Sequence, residues 1–497
     1  MTALERAIAR PQPVHDFADA SPLEGLERRS VGFLDVLGQS VSAVAPSAAA
    51  TTMILLVAGV ATPGDTVVAV VVAALLSLVV ARTINQFARR MVTSGSLFTY
   101  VAKGLGPAAS IATAGAGILG YGFVSVFALL GGAHYLAILA ERVWPGFTGP
   151  LSMPALLLCE GAVLAVVLVR GIRLSTRLAL VVEVLSVVLI ALLLVALIAL
   201  IGPVDPALVV PSAGVSAPAI AAGAMLALTA FVGFESASTL GVEARAPLRN
   251  IPRAITGTVV VAGLLYVLAA YTQVAGFAAL GLDLAESESP VNDLATAYGV
   301  DQWGALADIG IAASFLACAI ASATALTRVL FAMGRDGIVP RRFGTVHARF
   351  RTPIAAVVVT VPLIVLIPVG IVVAGIGVWD AMEVVIVVAG VGYIVAYALV
   401  CIAAPFFLRR IGELTVGAGL LSALAAVALI GGLSVYLVVE ATGGNPGVWV
   451  ALALAVLLGA LVAWRSRRGA PPLDGIGSYD EPVASEVLGG VARREAR

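Results

Sequence analysis

Twelve apolar stretches run through this sequence, each close to the roughly 17–25 residues that a helix needs to cross a bilayer. They cover 34–60, 66–88, 108–140, 153–170, 177–201, 217–243, 254–278, 303–332, 354–375, 379–405, 416–440 and 445–466. With 60% hydrophobic and 12% charged residues among 497, the chain lies far from the roughly 25% charged composition of a soluble domain. No soluble core could bury so much apolar side chain, so an all-α integral membrane protein of about twelve transmembrane helices is expected.

The net charge is zero, so the position of the charges carries the information. Counting the gaps alternately places the arginines, from Arg28 and Arg29 through Arg89, Arg90, Arg170, Arg249, Arg335, Arg409 and Arg410, on one side, with Arg142 alone opposite. The positive-inside bias makes the arginine-rich side cytoplasmic and puts both termini there, as in a multi-pass protein of the plasma (cell inner) membrane. Asp65, Asp205, Asp283, Glu286, Glu288, Asp293, Asp301 and Asp380 fall on the other side, where a solvated loop accounts for them.

Residues 1–30, with His15 and Asp16 among mixed charges, lack the apolar heart of a signal peptide and read as a cytoplasmic tail. The membrane domain is 31–466. Beyond it, 467–497 turns to Pro, Gly, Glu and Arg, as at Pro471, Pro472 and Asp474, and a disordered tail is expected.

Irregular backbone at membrane depth is tolerated only where it lines a cavity or is buried in protein, so breakers inside spans mark candidate sites. The first span carries Ser42-Ala43-Val44-Ala45-Pro46-Ser47, a proline at mid-span among small residues and hydroxyls. The sixth carries Phe231-Val232-Gly233-Phe234-Glu235, a glycine followed by an ionisable group. A carboxylate inside a span costs about 2.5–3.5 kcal/mol on insertion scales and is by default a functional group. A packed proline kink and a structural acid are the bland alternatives for these two features. The interrupted spans open two sets of five helices, 34–201 and 217–405, followed by two further helices over 416–466. That placement suits an inverted repeat whose broken helices meet at the midplane around a solute.

Three stretches then resemble the amino acid–polyamine–organocation (APC) permeases. They are Gly233-Phe234-Glu235 with Glu243 and Arg249-Asn250-Ile251-Pro252-Arg253; Arg328 with Phe331-Ala332-Met333-Gly334-Arg335-Asp336-Gly337 and Thr352-Pro353; and Ser94-Gly95-Ser96-Leu97-Phe98-Thr99-Tyr100 closing at Gly106-Pro107. The resemblance implies a LeuT-like fold of five plus five inverted helices, discontinuous at the first and sixth. It also implies a secondary transporter, symporter or antiporter, for an amino acid or a related amine or polyamine. Ser42, Ala43, Val44, Ala45, Pro46 and Ser47 would receive a substrate carboxylate, while Phe231, Val232, Gly233 and Phe234 would offer carbonyls and an aromatic gate.

Coupling or gating falls to Glu235, Glu183, Ser186 and Ser322. Ser186 stands where some proton-coupled relatives carry a lysine, and Ser322 or Thr324 would serve a sodium site. The coupling ion is thus H+ or Na+ or neither. Tyr121, Ala389, Gly390 and Tyr393 are expected to line the cavity.

Other signals are weaker. Gly115-x-Gly117-x-x-Gly120 lies inside an apolar span with no strand before it, so helix packing explains it better than a nucleotide does. Cys159, Cys318 and Cys401, and His15, His134 and His347, are too scattered for a metal centre or a triad, so no cofactor or metal is expected. A lipid bilayer and a small solute are the expected partners, and no nucleic acid. A transport-inactive nutrient sensor, or a membrane-embedded enzyme, is the competing function.

Overall fold

The computed structural model describes residues 12–13, 21–23, 25–61, 63–147, 149–203, 217–467, 475–481 and 490–491. The expectations placed on His15, Asp16, Asp205, Pro471, Pro472 and Asp474 lie outside them. Helices α1 (Phe33–Val44) and α2 (Pro46–Val60) share the first span. There follow α3 (Pro63–Ala88), α4 (Leu97–Leu105), α5 (Pro107–Val143), α6 (Ser152–Arg170) and α7 (Ile172–Ile201). The second set is α8 (Ala217–Thr229) with a 3₁₀ segment Phe234–Leu240, α9 (Pro247–Leu280), α10 (Pro290–Ala297), α11 (Asp301–Arg335), α12 (Ile354–Val373) and α13 (Val378–Arg410). Helices α14 (Val416–Thr442) and α15 (Gly447–Arg467) close the membrane domain. Among the described residues eleven helices are long and apolar enough to cross a membrane, and α15 stands at the twelfth expected position.

The short helices α4 and α10 follow the second span of their respective sets. The first lies on the arginine-rich face and the second on the opposite face, as inverted halves require. Helix α5 is the central post, packed most heavily against α11 and α13. Small residues permit the close approach: a Cβ on Gly131 would meet the Phe315 ring at 2.5 Å, and one on Gly392 would meet the Gly120 amide at 2.6 Å. In lipid, where apolar contact between helices is no better than contact with acyl chains, such close packing is a main source of helix association. Val181, Leu185, Val188 and Leu192 of α7 point outward, as a lipid-facing stripe does.

The expectation of disorder over 467–497 does not hold for residues 475–481, which dock on the arginine-rich face. The backbone of Gly477 donates to Asp336 Oδ2 at 2.7 Å and the Ser478 hydroxyl donates to Asp336 Oδ1 at 2.5 Å. Asp480 accepts from Arg29 at 2.9 Å and from Ser21 at 2.6 Å, and its amide donates to Val92 O at 2.7 Å. Lys103 sits 4.8 Å above the Tyr479 ring. Composition suggested too little burial for order, but ion pairs and backbone bonds hold this stretch instead. A two-residue parallel pairing of Gln12–Pro13 with Gly490–Val491 also joins the two ends of the chain.

Hydrogen bonds to a charged group contribute about 1.5–3 kcal/mol. Asp480→Ala is therefore expected to raise the opening of 475–481 at least tenfold, read as faster proteolysis at Tyr479 in the otherwise folded protein. An unchanged cleavage rate would show that these contacts do not hold the segment.

Candidate functional site

Both expected breaks are real interruptions of the helical hydrogen-bond ladder. Helix α1 ends at Val44, and Ala45 takes a left-handed conformation (φ 49°, ψ 62°) before Pro46 starts α2. The proline suits a first helical position because its missing N–H would be unpaired there anyway. A non-glycine residue in this conformation costs about 1–3 kcal/mol and persists only where its surroundings hold it. In the sixth span α8 stops at Thr229, Gly233 turns at φ 99°, and the chain resumes as a 3₁₀ rather than an α-helix.

The two breaks touch. A Cβ added to Gly233 would lie 2.8 Å from the carbonyl oxygen of Ala43. The Ser40 hydroxyl donates to Phe234 O at 2.7 Å, and that of Ser236 donates to Gln39 O at 3.2 Å. Beside this contact lies a cavity of about 30 Å³, lined on one side by Ala43, Val44, Ala45, Ala48, Ala49 and Met53. Thr229, Ala230 and Val232 of the sixth span, with Val124, Phe127, Phe315, Cys318 and Ile386, complete it.

Three expectations about this cavity need correction. Its aromatic walls are Phe127 and Phe315, 5.9 Å apart and edge-on. The Phe231 ring instead packs on Tyr266 at 4.8 Å, and that of Phe234 stacks on Tyr397 at 5.4 Å. Nor do Tyr121, Ala389, Gly390 and Tyr393 line it: the Tyr121 hydroxyl donates to Glu235, Tyr393 fills the space beside Gly120, and Gly390 faces Thr229. Phe127, Phe315 and Ile386 sit in uninterrupted apolar stretches and carry no local signal that could have singled them out.

The third correction concerns the start of α2, whose amides the resemblance assigns to a substrate carboxylate. They already have partners. The Ser47 amide donates to Glu183 Oε1 at 3.3 Å, and the Ala48 amide donates to Ser314 Oγ at 3.4 Å. Ser314 and Ser47 hydroxyls donate to the same Glu183 oxygen at 2.9 and 3.2 Å. The second oxygen, Oε2, is buried and has no hydrogen-bond partner, as is the Ser42 hydroxyl.

Glu235 lies on the other flank of the breaks, fully buried. Its two oxygens accept from the hydroxyls of Tyr121 at 2.6 Å and Tyr397 at 2.5 Å, and the Gly233 amide donates to Tyr397 at 3.4 Å. Ser186 donates to Gly310 O at 3.1 Å, remote from this network. Ser322 lies 4.0 Å from the Cys318 sulfur, whose thiol donates to Ala43 O at 3.3 Å. The Gln39 side chain donates to Ala321 O at 2.8 Å, so the Ala43 and Ala321 carbonyls each accept a hydrogen bond from the protein. Among the described residues no group of three or more His, Cys, Asp or Glu is placed to hold a metal.

Toward the arginine-rich face the path is closed. Arg328 makes a two-pronged ion pair with Glu243 at 2.8 and 3.0 Å, Ser96 meets Ser238 at 2.5 Å, and Val31 bridges to Ala244. Toward the opposite face lies a larger chamber of about 180 Å³ between α2, α8, α13 and α14. It shares the Ile386 side chain with the central cavity.

A chain that crosses the membrane many times and holds two interrupted helices against each other at a small central cavity is a transporter of the broken-helix kind. Comparison with known proteins places it further. Residues 39–443 match the family model described as Amino acid permease, and the chain belongs to that family. The branched-chain amino acid permease BcaP of Bacillus subtilis is 25% identical over 372 residues, covering 71% of this chain and 77% of that one.

The low-affinity putrescine importer PlaP of Escherichia coli is 24% identical over 301 residues, 59% of this chain and 64% of that one. An uncharacterized transporter of Mycobacterium tuberculosis is 32% identical over 171 residues, 34% of this chain and 36% of its own length. The crystal structure of MhsT in complex with L-phenylalanine superposes with a TM-score of 0.54 at 14% identity, over 82% of this chain and 99% of that one. Fold and family are thus those of the APC permeases with a LeuT-like architecture.

Proposed function

We propose that the protein is a secondary active transporter that carries an amino acid or a related amine across the plasma membrane by alternating access, with its arginine-rich face and both termini in the cytoplasm. The observation that carries this reading is the contact between the Ala45 and Gly233 breaks beside a small central cavity. Two helices that can each hinge at that level let the path open to one face while the ion pair and hydroxyl contacts of the other stay shut. The family's named members, a branched-chain amino acid permease and a putrescine importer, support the substrate class. They are transporters and not enzymes, which weighs against catalysis, and a transport-inactive sensor would share the site but not the turnover.

Coupling is best served by a proton. Glu183 and Glu235 are buried carboxylates at the two breaks, while the carbonyls of Ala43 and Ala321 each already accept a hydrogen bond, from Cys318 and Gln39. Purified protein in liposomes is expected to accumulate or exchange at least one labelled amino acid or amine, more strongly under an inward proton gradient than under a sodium gradient. Glu235→Gln, which keeps the shape and removes the charge, is expected to lower the rate at least tenfold, and Phe234→Ala to impair it as well. Folded protein that moves none of the common amino acids, diamines or ethanolamine would refute the transporter reading. Stimulation by sodium alone would refute the proton.

A further inference from the structure

The path through this protein is rich in carboxylates, and the start of α2 has no amide left for one brought by the substrate. Pro46 has no N–H, and the Ala49 amide donates within the helix to Ala45 O at 2.9 Å. Ser47 and Ala48 are therefore the amides that the start of α2 could offer an anion, and Glu183 and Ser314 hold them. The break in this first span is one residue long, so no looser stretch of backbone supplies others. At the second break the Gly233 amide goes to Tyr397, which is itself tied to Glu235.

The outer chamber repeats the pattern. Glu383 and Glu440 line it, with Leu55, Leu56, Leu226 and Val387 among its apolar walls. The Tyr436 hydroxyl, fully buried, lines the same chamber without a hydrogen-bond partner. No lysine or arginine lines either cavity. Arg328 is committed to Glu243, and Arg142, at the outer face, to Asp308 at 3.4 Å.

An α-amino acid entering here would set its carboxylate against Glu383 and Glu440, then against Glu183 and Ser314 on the Ser47 and Ala48 amides, with no basic side chain to balance it. An ammonium group meets the reverse: carboxylates at the entrance, then the carbonyl end of α1 at Val44 and the turn after α8 at Val232, where a helix C-terminus carries partial negative charge; the neighbouring Ala230 carbonyl accepts from Tyr266 at 2.8 Å. Met53, Phe127, Phe315 and Ile386 suit an alkyl body.

We propose that the substrate is an aliphatic amine cation without a carboxylate, a monoamine or short diamine, in preference to an α-amino acid. The proposal rests on the transporter reading above and narrows it. Glu183 is the residue that excludes the carboxylate, and Glu383 with Glu440 gathers the amine.

The test is uptake into proteoliposomes of labelled pairs that differ by the carboxylate alone: agmatine against arginine, cadaverine against lysine, isoamylamine against leucine. At least one amine is expected to show a kcat/KM tenfold or more above that of its carboxylated partner. Glu383→Gln with Glu440→Gln is expected to raise the KM for that amine several-fold at little change in kcat. Glu183→Ala with Ser314→Ala frees both amides and is expected to shift the preference at least tenfold toward the carboxylated member. Ser314→Ala alone, which frees one amide and keeps the acid, shifts it less and serves if the double variant does not fold. Uptake of arginine, lysine or leucine equal to or above that of the amine overturns this proposal and leaves the transporter standing. Uptake of neither member of any pair, nor of any other amine or amino acid, by folded protein overturns both.

Discussion

Gly233→Ala should lower transport at least thirtyfold while the protein still inserts and folds. At φ 99° and ψ −12° residue 233 lies outside the regions open to a residue with a Cβ, and left-handed backbone alone costs an L-residue about 1–2 kcal/mol. The added methyl would also stand 2.8 Å from the Ala43 oxygen and 2.9 Å from the Ala43 Cβ, in the wall of the first-span break. Overpacking of that kind costs about 1–3 kcal/mol. The sum, about 2–5 kcal/mol, falls on the conformation in which the two breaks touch, and each 1.4 kcal/mol is roughly tenfold in its population.

Initial uptake rates at matched protein density measure the effect. Gly117→Ala in α5 is the control: nothing lies within 4 Å of its added Cβ, and alanine favours the helix. Uptake by Gly233→Ala within twofold of the parent would mean that the contact between the breaks is not part of the cycle.

Arg328→Ala and Glu243→Ala should each destabilise the protein by roughly 3–5 kcal/mol, because removing one partner of a buried ion pair strands the other charge. The pair is close to fully enclosed, with side-chain exposures of 5% and 3%. Replacing both together, Arg328→Met with Glu243→Leu, should recover most of the loss, since a buried pair is often exchangeable for apolar groups of similar volume. Thermal unfolding in detergent, read for all three variants, gives the coupling between the two sites. A double variant as unstable as the sum of the singles would show that the residues act independently. Because the pair ties the end of the sixth span to α11 on the closed face, the double variant is also expected to retain its fold but leak substrate or lose coupling.

Much of the architecture was legible before any coordinates. The apolar spans and the interruptions near Pro46 and Gly233 emerge as read, and of the glycines at 115, 117 and 120 it is Gly120 that serves close packing, lying against Tyr393, while Gly117 faces open space. The site was legible only in part. Glu235 was found because an acid inside a span stands out against its neighbours, and Glu183 because it lies one turn before Ser186, the position that the resemblance singled out. Glu383 and Glu440 carry the same signal and join a chamber only when α13 and α14 pack together. Phe231 and Phe234 were assigned to the cavity on resemblance, and their rings turn to Tyr266 and Tyr397 instead. The docking of Gly477 and Asp480 was invisible because its partners, Asp336 and Arg29, lie far away along the chain.

The sequence alone determined that this chain lives in a membrane, that it crosses it many times and where two helices break. A bilayer judges each helix by itself, through length, apolarity and flanking charge, and proline or glycine interrupts a helix through its own backbone. Tertiary structure alone decided what the breaks hold. Ser47 and Glu183 are 136 residues apart, and Glu235 and Tyr397 are 162 apart. Whether an amide at a helix start is open to a substrate or already taken depends on which side chain of a distant helix is packed against it, and nothing local in the chain records that.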